Sequence, residues 1–453
     1  MTDRVLPSTA VRLRAHLAAA QASGRMPSVV AAVVRDRALV WAGTRGRVAG
    51  TNVEPTADTQ YRIGSITKTM TAALVLQLRD EGRLDLGDPV GRHLPDAPYA
   101  EHPVRSLLAH SSGMQAEPAG PWWERSPGVS WADLAGRHAG TAGVLPPGRQ
   151  FHYSNLGYGV LGELVARLRG RSWRESVEQH LLRPLGMVRT SYSPMSPHAT
   201  GYSVHAFAGT LTGEPAQDTA AMAPAGQLWS TVGDLGRWLG VLLDPDPAVL
   251  SPETVAEMRT PQSGAPETAA AHSYGLGLEL ARLDDALVVG HGGSMPGFLA
   301  GMFGDPATRV GAVVLANGTS GLDIGGLLRS LIGTVRAHEP TLEPEWLPTE
   351  SVDPAVAELL GLWHWGHVAY TLSLDHATQP GNLQLAGLRG GRQSRFRPTG
   401  TDTFVGCDGY FTGERLQVVR HADGTVSHLD AATFVFTREP CDPPAPVPGG
   451  APR

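Results

Sequence analysis

The stretch YRIGSITKTMTAALVLQLRD, residues 61–80, sets a serine at position 65 and a lysine at position 68 at the head of an apolar run with helical periodicity. That pattern predicts a helix over 62–81. The i,i+3 spacing brings Lys68 onto the face of Ser65, within reach of its hydroxyl, and the amides of a helix N-terminus favour developing negative charge. Of the 37 basic residues in the chain, Lys68 is the only lysine; all the others are Arg. Arg can serve surface charge, ion pairing and stem packing, but a guanidinium stays protonated, whereas a buried amine can give up its proton near neutrality. Lys68 is therefore a candidate base and Ser65 a candidate nucleophile. The plainer alternative is a serine N-cap followed by a surface cation.

Two further segments carry chemistry. In FHYSNLGYG, 151–159, Tyr153 and Asn155 follow the turn PPGRQ and precede another helix. A phenol near an ammonium can exist partly as phenolate and pass a proton to a leaving group, and the Asn amide can orient a substrate carbonyl or the lysine. In VVGHGGSMPGF, 288–298, a strand runs into His291, Gly292, Gly293 and Ser294. Glycines at a strand edge allow close backbone approach, and the Ser294 amide is expected to join that of Ser65 as an oxyanion hole. A packed tyrosine with a capping asparagine, and a glycine-rich turn, are the plain alternatives.

Outward from these motifs, SVVAAVVRD and ALVWAG read as a hairpin behind the breaker Pro27. Helical patterns recur at about 103–109, 155–169, 173–184, 230–243, 251–259 and 321–337, and between about 273 and 316 the pattern returns to strands, in SYGLGLEL, ALVVG, FLAGMFGD and RVGAVVLAN. Ser251 and Pro252 supply a cap and a first helical position. The segment 338–354 holds four Pro and five acidic residues without periodicity and reads as a linker between a first domain, 1–337, and a second, 355–440. Short alternating segments in the second predict a small antiparallel barrel, and 441–453 reads as a disordered tail.

At 453 residues and 47.8 kDa, two domains are expected. A net charge of −6 and a pI near 6.3, with no basic run, argue against nucleic acid or an acidic membrane face as the main partner. A small or peptidic ligand is expected instead. Cys407 and Cys441 cannot build a disulfide framework or a thiolate metal site, and neither metal nor cofactor is expected. The first 25 residues suit an amphipathic helix rather than a secretory leader, so a cytoplasmic setting is expected. G-x-S-x-G and H-E-x-x-H do not occur, which excludes an α/β-hydrolase and a zincin.

Taken together, YRIGSITK, LLAHSSGM, PPGRQFHYSN, APAGQLWSTVGDLGRW, SYGLGLEL and the HGGS segment resemble the serine β-lactamase and penicillin-binding-protein superfamily. The likeness is to its class C and DD-peptidase-like branch, over about residues 8–337. It implies an α+β fold, an antiparallel sheet flanked by helices with a helical subdomain. It also implies Ser65 as nucleophile, Lys68 and Tyr153 as base and acid, Asn155 orienting substrate, and His291 and Gly293 where many relatives carry Lys-Thr-Gly. The C-terminal segment, ending in TFVFTRE with Arg438, resembles the lipocalin-like domain appended to some members. His291 removes a permanent cation for a substrate carboxylate, which disfavours β-lactamase or cell-wall carboxypeptidase activity. The resemblance then implies a penicillin-binding-protein-type thioesterase that takes a peptide from a peptidyl carrier protein and releases it as a macrocycle. The alternatives are an esterase or D-stereospecific amidase or peptidase, and a catalytically silent binding module. Trp122 and Trp123 either line the cleft or pack.

Overall fold

The computed structural model describes residues 4–48, 53–148, 150–264, 272–283, 286–342, 345–375 and 381–442. The chain divides into two compact units, residues 1–341 and 342–453.

In the first unit, seven strands among the described residues form one antiparallel sheet. Their order across it is Ala38–Gly46, Ser28–Arg35, Val310–Ala316, Phe298–Asp305, Ala286–Met295, Glu279–Leu283 and His272–Tyr274. The inner strand Ser28–Arg35 shows why: its β-branched and alanine side chains alternate between two cores. Val29, Ala31 and Val33 join one cluster, and Val30 and Ala32 join the other. Helices Pro7–Gly24 and Ile324–His338 cover the first face, while Val232–Leu243 covers the second. Beside the second face a helical region packs Thr67–Asp80 against Asn155–Arg169 and the short Ala223–Gly226 helix.

The Asn155–Arg169 helix has the expected bounds, capped by the Ser154 side chain and closed by Gly170 at φ 67°. The expected 62–81 helix differs at its start. Tyr61–Arg62 pairs with Trp229–Ser230 as a strand, Gly64–Ile66 forms a 3₁₀ turn, and the α-helix proper is Thr67–Asp80. The 173–184 pattern breaks into α-helix Trp173–Val177 and a π-turn Glu178–Leu182. SYGLGLEL is not one strand. It divides between His272–Tyr274 and Glu279–Leu283, because Gly277 adopts φ +78° and a Cβ at Gly275 would lie 2.0 Å from the Met258 carbonyl. Among the described residues no helix is long and apolar enough to cross a membrane.

The second unit is an eight-stranded antiparallel ladder running in chain order from Gly361–Trp365 to Phe434–Phe436. It closes on itself where His364 and Thr437 exchange backbone hydrogen bonds of 2.7 and 2.9 Å. Its inside is filled by Trp363, Tyr370, Phe396, Phe404, Leu416 and Phe436, a packed core. Arg438 stacks its guanidinium 3.9 Å from the Trp363 ring and donates to the Leu360 and Leu362 carbonyls, tying the two ends of the ladder. Residues 338–354, read as a linker, straddle the division between units, with helices ending at His338 and beginning at Pro354. Cys441 and Asp442, read as the start of a tail, are held to the barrel: the Cys441 amide donates to Gly366 O and Asp442 pairs with His367. Residues 443–453 lie outside the described residues.

Candidate active site

Ser65 occupies the middle of the 3₁₀ turn, one turn ahead of the fully buried Lys68 (0% exposed). The lysine amine contacts three oxygens: Ser65 Oγ at 2.9 Å, Asn155 Oδ1 at 2.7 Å and the Ala225 carbonyl at 2.6 Å. Burial pushes the Lys68 ammonium down to about 7, against the opposing pull of Glu117, Glu124 and Glu279. Near neutrality the amine can thus be free and draw the neighbouring hydroxyl proton. The Asn155 amide oxygen faces the lysine, an arrangement that fits the lysine-orienting role considered for its amide.

Tyr153 hydrogen-bonds Ser65, and its ring centroid lies 5.0 Å from Lys68 Nζ. Burial drives its phenol well above the usual tyrosine range, the Ser65 bond opposes that rise, and Glu279, Tyr158 and Glu117 add to it. The partial phenolate anticipated from sequence is therefore replaced by a neutral phenol. The chemistry divides accordingly: the lysine can accept a proton and the tyrosine can donate one.

The Ala286–Met295 strand reaches the nucleophile turn because neither backbone carries a side chain at the crossing. A Cβ on Gly293 would lie 2.1 Å from the Ile63 carbonyl. Gly64, at φ +52°, would place one 2.6 Å from Ser294 N. This close approach sets the Ser294 backbone beside the residue preceding Ser65, where the two amides were expected to cooperate.

His291 is nearly fully buried, and both its ring nitrogens are engaged within the protein. Nδ1 lies 2.5 Å from the Gly292 carbonyl and 3.2 Å from Glu279 Oε1, and Nε2 lies 2.9 Å from the Tyr274 hydroxyl. Two oxygen acceptors at Nδ1 fix the proton there. Burial lowers the affinity of the imidazole for a second proton, and Glu279 works against that. Glu279 itself is held down at about 2: burial would raise it, but His291, His272 and the Gly292 amide outweigh burial.

Several site residues escaped sequence reading. His110, inside LLAHSSGM, is fully buried, accepts the Ser154 amide on Nδ1 at 3.0 Å, and stacks 4.1 Å from the Tyr153 ring. Burial keeps it neutral, with the Lys68 charge acting in the same direction. Glu117 accepts from Asn155 Nδ2 at 2.8 Å and from Trp123 Nε1 at 2.7 Å. The tryptophans therefore differ. Trp123 packs (9% exposed) and holds Glu117, whereas Trp122 is 57% exposed beneath Arg125, with its indole donating to Glu124.

The model of the Beta-lactamase family matches residues 13–332, well over half of the chain. The chain belongs to the beta-lactamase family. Residues 352–438 of this family member match a domain of unknown function (DUF7586). Among curated proteins, it is 32% identical over 206 residues to the D-alanyl-D-alanine-carboxypeptidase/endopeptidase AmpH of Escherichia coli (strain K12), covering 44% of this chain and 52% of that protein. It thus spans about half the length of that curated relative. Among solved structures, SurE is 26% identical with a TM-score of 0.62, over 95% of this chain and 99% of that one. SurE has also been solved with D-Leu (25% identity, TM-score 0.59, over 96% of this chain and 100% of that one). A D-stereospecific amidohydrolase from Streptomyces sp. is 28% identical with a TM-score of 0.61, over 71% of this beta-lactamase family chain and 98% of its own.

Proposed function

We propose that this chain is a serine acyl-enzyme hydrolase or acyltransferase whose acyl donor is a peptidyl amide, ester or thioester with a D-configured residue at the reacting carbonyl. One observation carries it: the Ser65 hydroxyl sits 2.9 Å from a fully buried lysine amine whose proton is loosened to about pH 7. Lys68 takes the hydroxyl proton, Ser65 attacks the carbonyl, and the amides of Ser65 and Ser294 receive the oxyanion. Tyr153 then protonates the leaving group and regains its proton from the Lys68 ammonium, which returns both groups to their starting states. Water or an amine releases the acyl group. The D-configuration is supported by the D-stereospecific amidohydrolase and by the D-Leu bound to SurE.

With both nitrogens of His291 occupied, the strand motif offers no free cation for a substrate carboxylate. That supports an amidase or peptidase reading over a cell-wall carboxypeptidase or β-lactamase. A second reading is a thioesterase that macrocyclises a nonribosomal peptide delivered by a carrier protein. It is favoured by the pairing of the sheet-and-helix unit with an eight-stranded barrel, an arrangement the resemblance associates with such cyclases.

The test has two steps. A fluorophosphonate probe should label the wild type and leave Ser65→Ala unlabelled; equal labelling of both would end the acyl-enzyme reading. Product analysis on a peptidyl thioester ending in a D-residue then separates the two: linear acid supports hydrolysis, and a cyclic product supports the thioesterase.

A further inference from the structure

Glu117 lies outside all three motifs, in the loop between helices Val104–Leu108 and Trp131–Arg137. Its carboxylate nevertheless terminates a chain of hydrogen bonds that reaches the nucleophile. Trp123 Nε1 donates to Oε2, Asn155 Nδ2 donates to Oε1, Lys68 donates to Asn155 Oδ1, and Lys68 meets Ser65 Oγ. The two ends of an asparagine amide are alike in shape but opposite in hydrogen bonding. A carboxylate only accepts, so it holds the NH₂ end and leaves the oxygen for the lysine. With the amide turned over, two acceptors would face each other across the 2.8 Å between Asn155 and Glu117, and a donor would face the lysine ammonium.

We propose that Glu117 is a positioning residue for this site: it fixes the Asn155 amide so that Lys68 stays aimed at Ser65, and its negative charge steadies the lysine ammonium. The inference rests on the acyl-enzyme reading above and adds the residue that governs its base. The buried Trp123 indole anchors the carboxylate, so the charge is held in place although Glu117 is itself exposed. Other groups face the same amine. Glu124 and Glu279 are the remaining anions, Glu117 being the strongest of the three in its effect. His110 and His291 are imidazoles lowered by burial, and the phenols of Tyr153 and Tyr158 pack their rings 5.0 and 5.6 Å from Nζ.

The experiment measures the rate of inactivation by a fluorophosphonate between about pH 5 and about pH 9, across the working range of such a base. Wild type, Glu117→Gln and Glu117→Asp are compared, each checked for a cooperative thermal transition. Losing the negative charge destabilises the ammonium. In Glu117→Gln the acid limb should therefore move to lower pH, by roughly one unit. Because Gln can accept or donate, the amide of Asn155 is no longer locked, and the plateau rate should fall on the order of tenfold. Glu117→Asp keeps the charge but withdraws from Asn155, so its limb stays put while its plateau falls; it carries the test even if the Gln variant does not fold. A Glu117→Gln profile that superimposes on wild type, or a lowered plateau with an unmoved limb, would reduce Glu117 to loop packing and overturn the proposal. Absence of labelling in the wild type would overturn the acyl-enzyme reading, and this inference with it.

Discussion

At the residue scale, the candidate site sets two neighbouring groups, Lys68 and Tyr153, in contrast. Burial lowers Lys68 to about 7 and raises Tyr153 well above its usual range, so near neutral pH the amine can be free to accept a proton while the phenol still holds one. The rate of acylation should therefore rise with pH through about 7, as the ammonium loses its proton. A profile with its acid limb near the free-lysine value of 10.5 would contradict a depressed amine. Lys68→Arg keeps the positive charge but cannot accept a proton, so it should be nearly as inactive as Ser65→Ala in stopped-flow acylation. Tyr153→Phe should slow turnover by roughly 10²–10⁴, the usual range for lost acid–base help, with the larger loss on substrates whose leaving group is an amine.

At the scale of elements, what positions these residues is the crossing of a strand over a 3₁₀ turn. Gly293→Ala would drive a methyl into the Ile63 carbonyl, 2.1 Å away, so the strand must retreat from the nucleophile turn. The expected outcome is a stable fold with acylation lowered by about tenfold or more, since shifts of about 1 Å carry costs of that order or larger. Unchanged acylation would mean that the strand contributes nothing to the oxyanion. These elements also show how far the sequence was legible. The helix opened by Asn155 could be read directly, because a capping serine, an apolar stripe and a terminal glycine all agree. The serine, lysine, tyrosine and glycine positions were legible because their chemistry demands those residue types at short spacings. Glu117 was not: a lone glutamate in a Pro- and Gly-rich loop has no pattern, and its partners are 38 residues away at Asn155 and 6 away at Trp123. His110 was hidden likewise, since only packing reveals that its ring lies between Tyr153 and Tyr274. Continuous apolar periodicity misled at 173–184 and at SYGLGLEL, where a π-turn and two glycines interrupt patterns that periodicity alone cannot break.

At the scale of the whole molecule, each unit owns its core, so each should be separable. Residues 345–442 expressed alone should melt in one cooperative transition, measured by calorimetry, because Trp363, Phe396, Leu416 and their neighbours are buried by the barrel itself. A broad, featureless melt would show that the barrel needs the rest of the chain. The burial of Lys68 has a consequence of another kind. The folded surface displays no side-chain amine, so amine-directed acylating reagents and crosslinkers should pass over every side chain of the native protein. By the same token, a lysine-specific endoprotease has one peptide bond to cut, after Lys68, and that bond is closed inside the nucleophile helix. Cleavage into two fragments would then report opening of the Thr67–Asp80 helix, alone or with the rest of the unit, a built-in gauge of stability that needs no substrate.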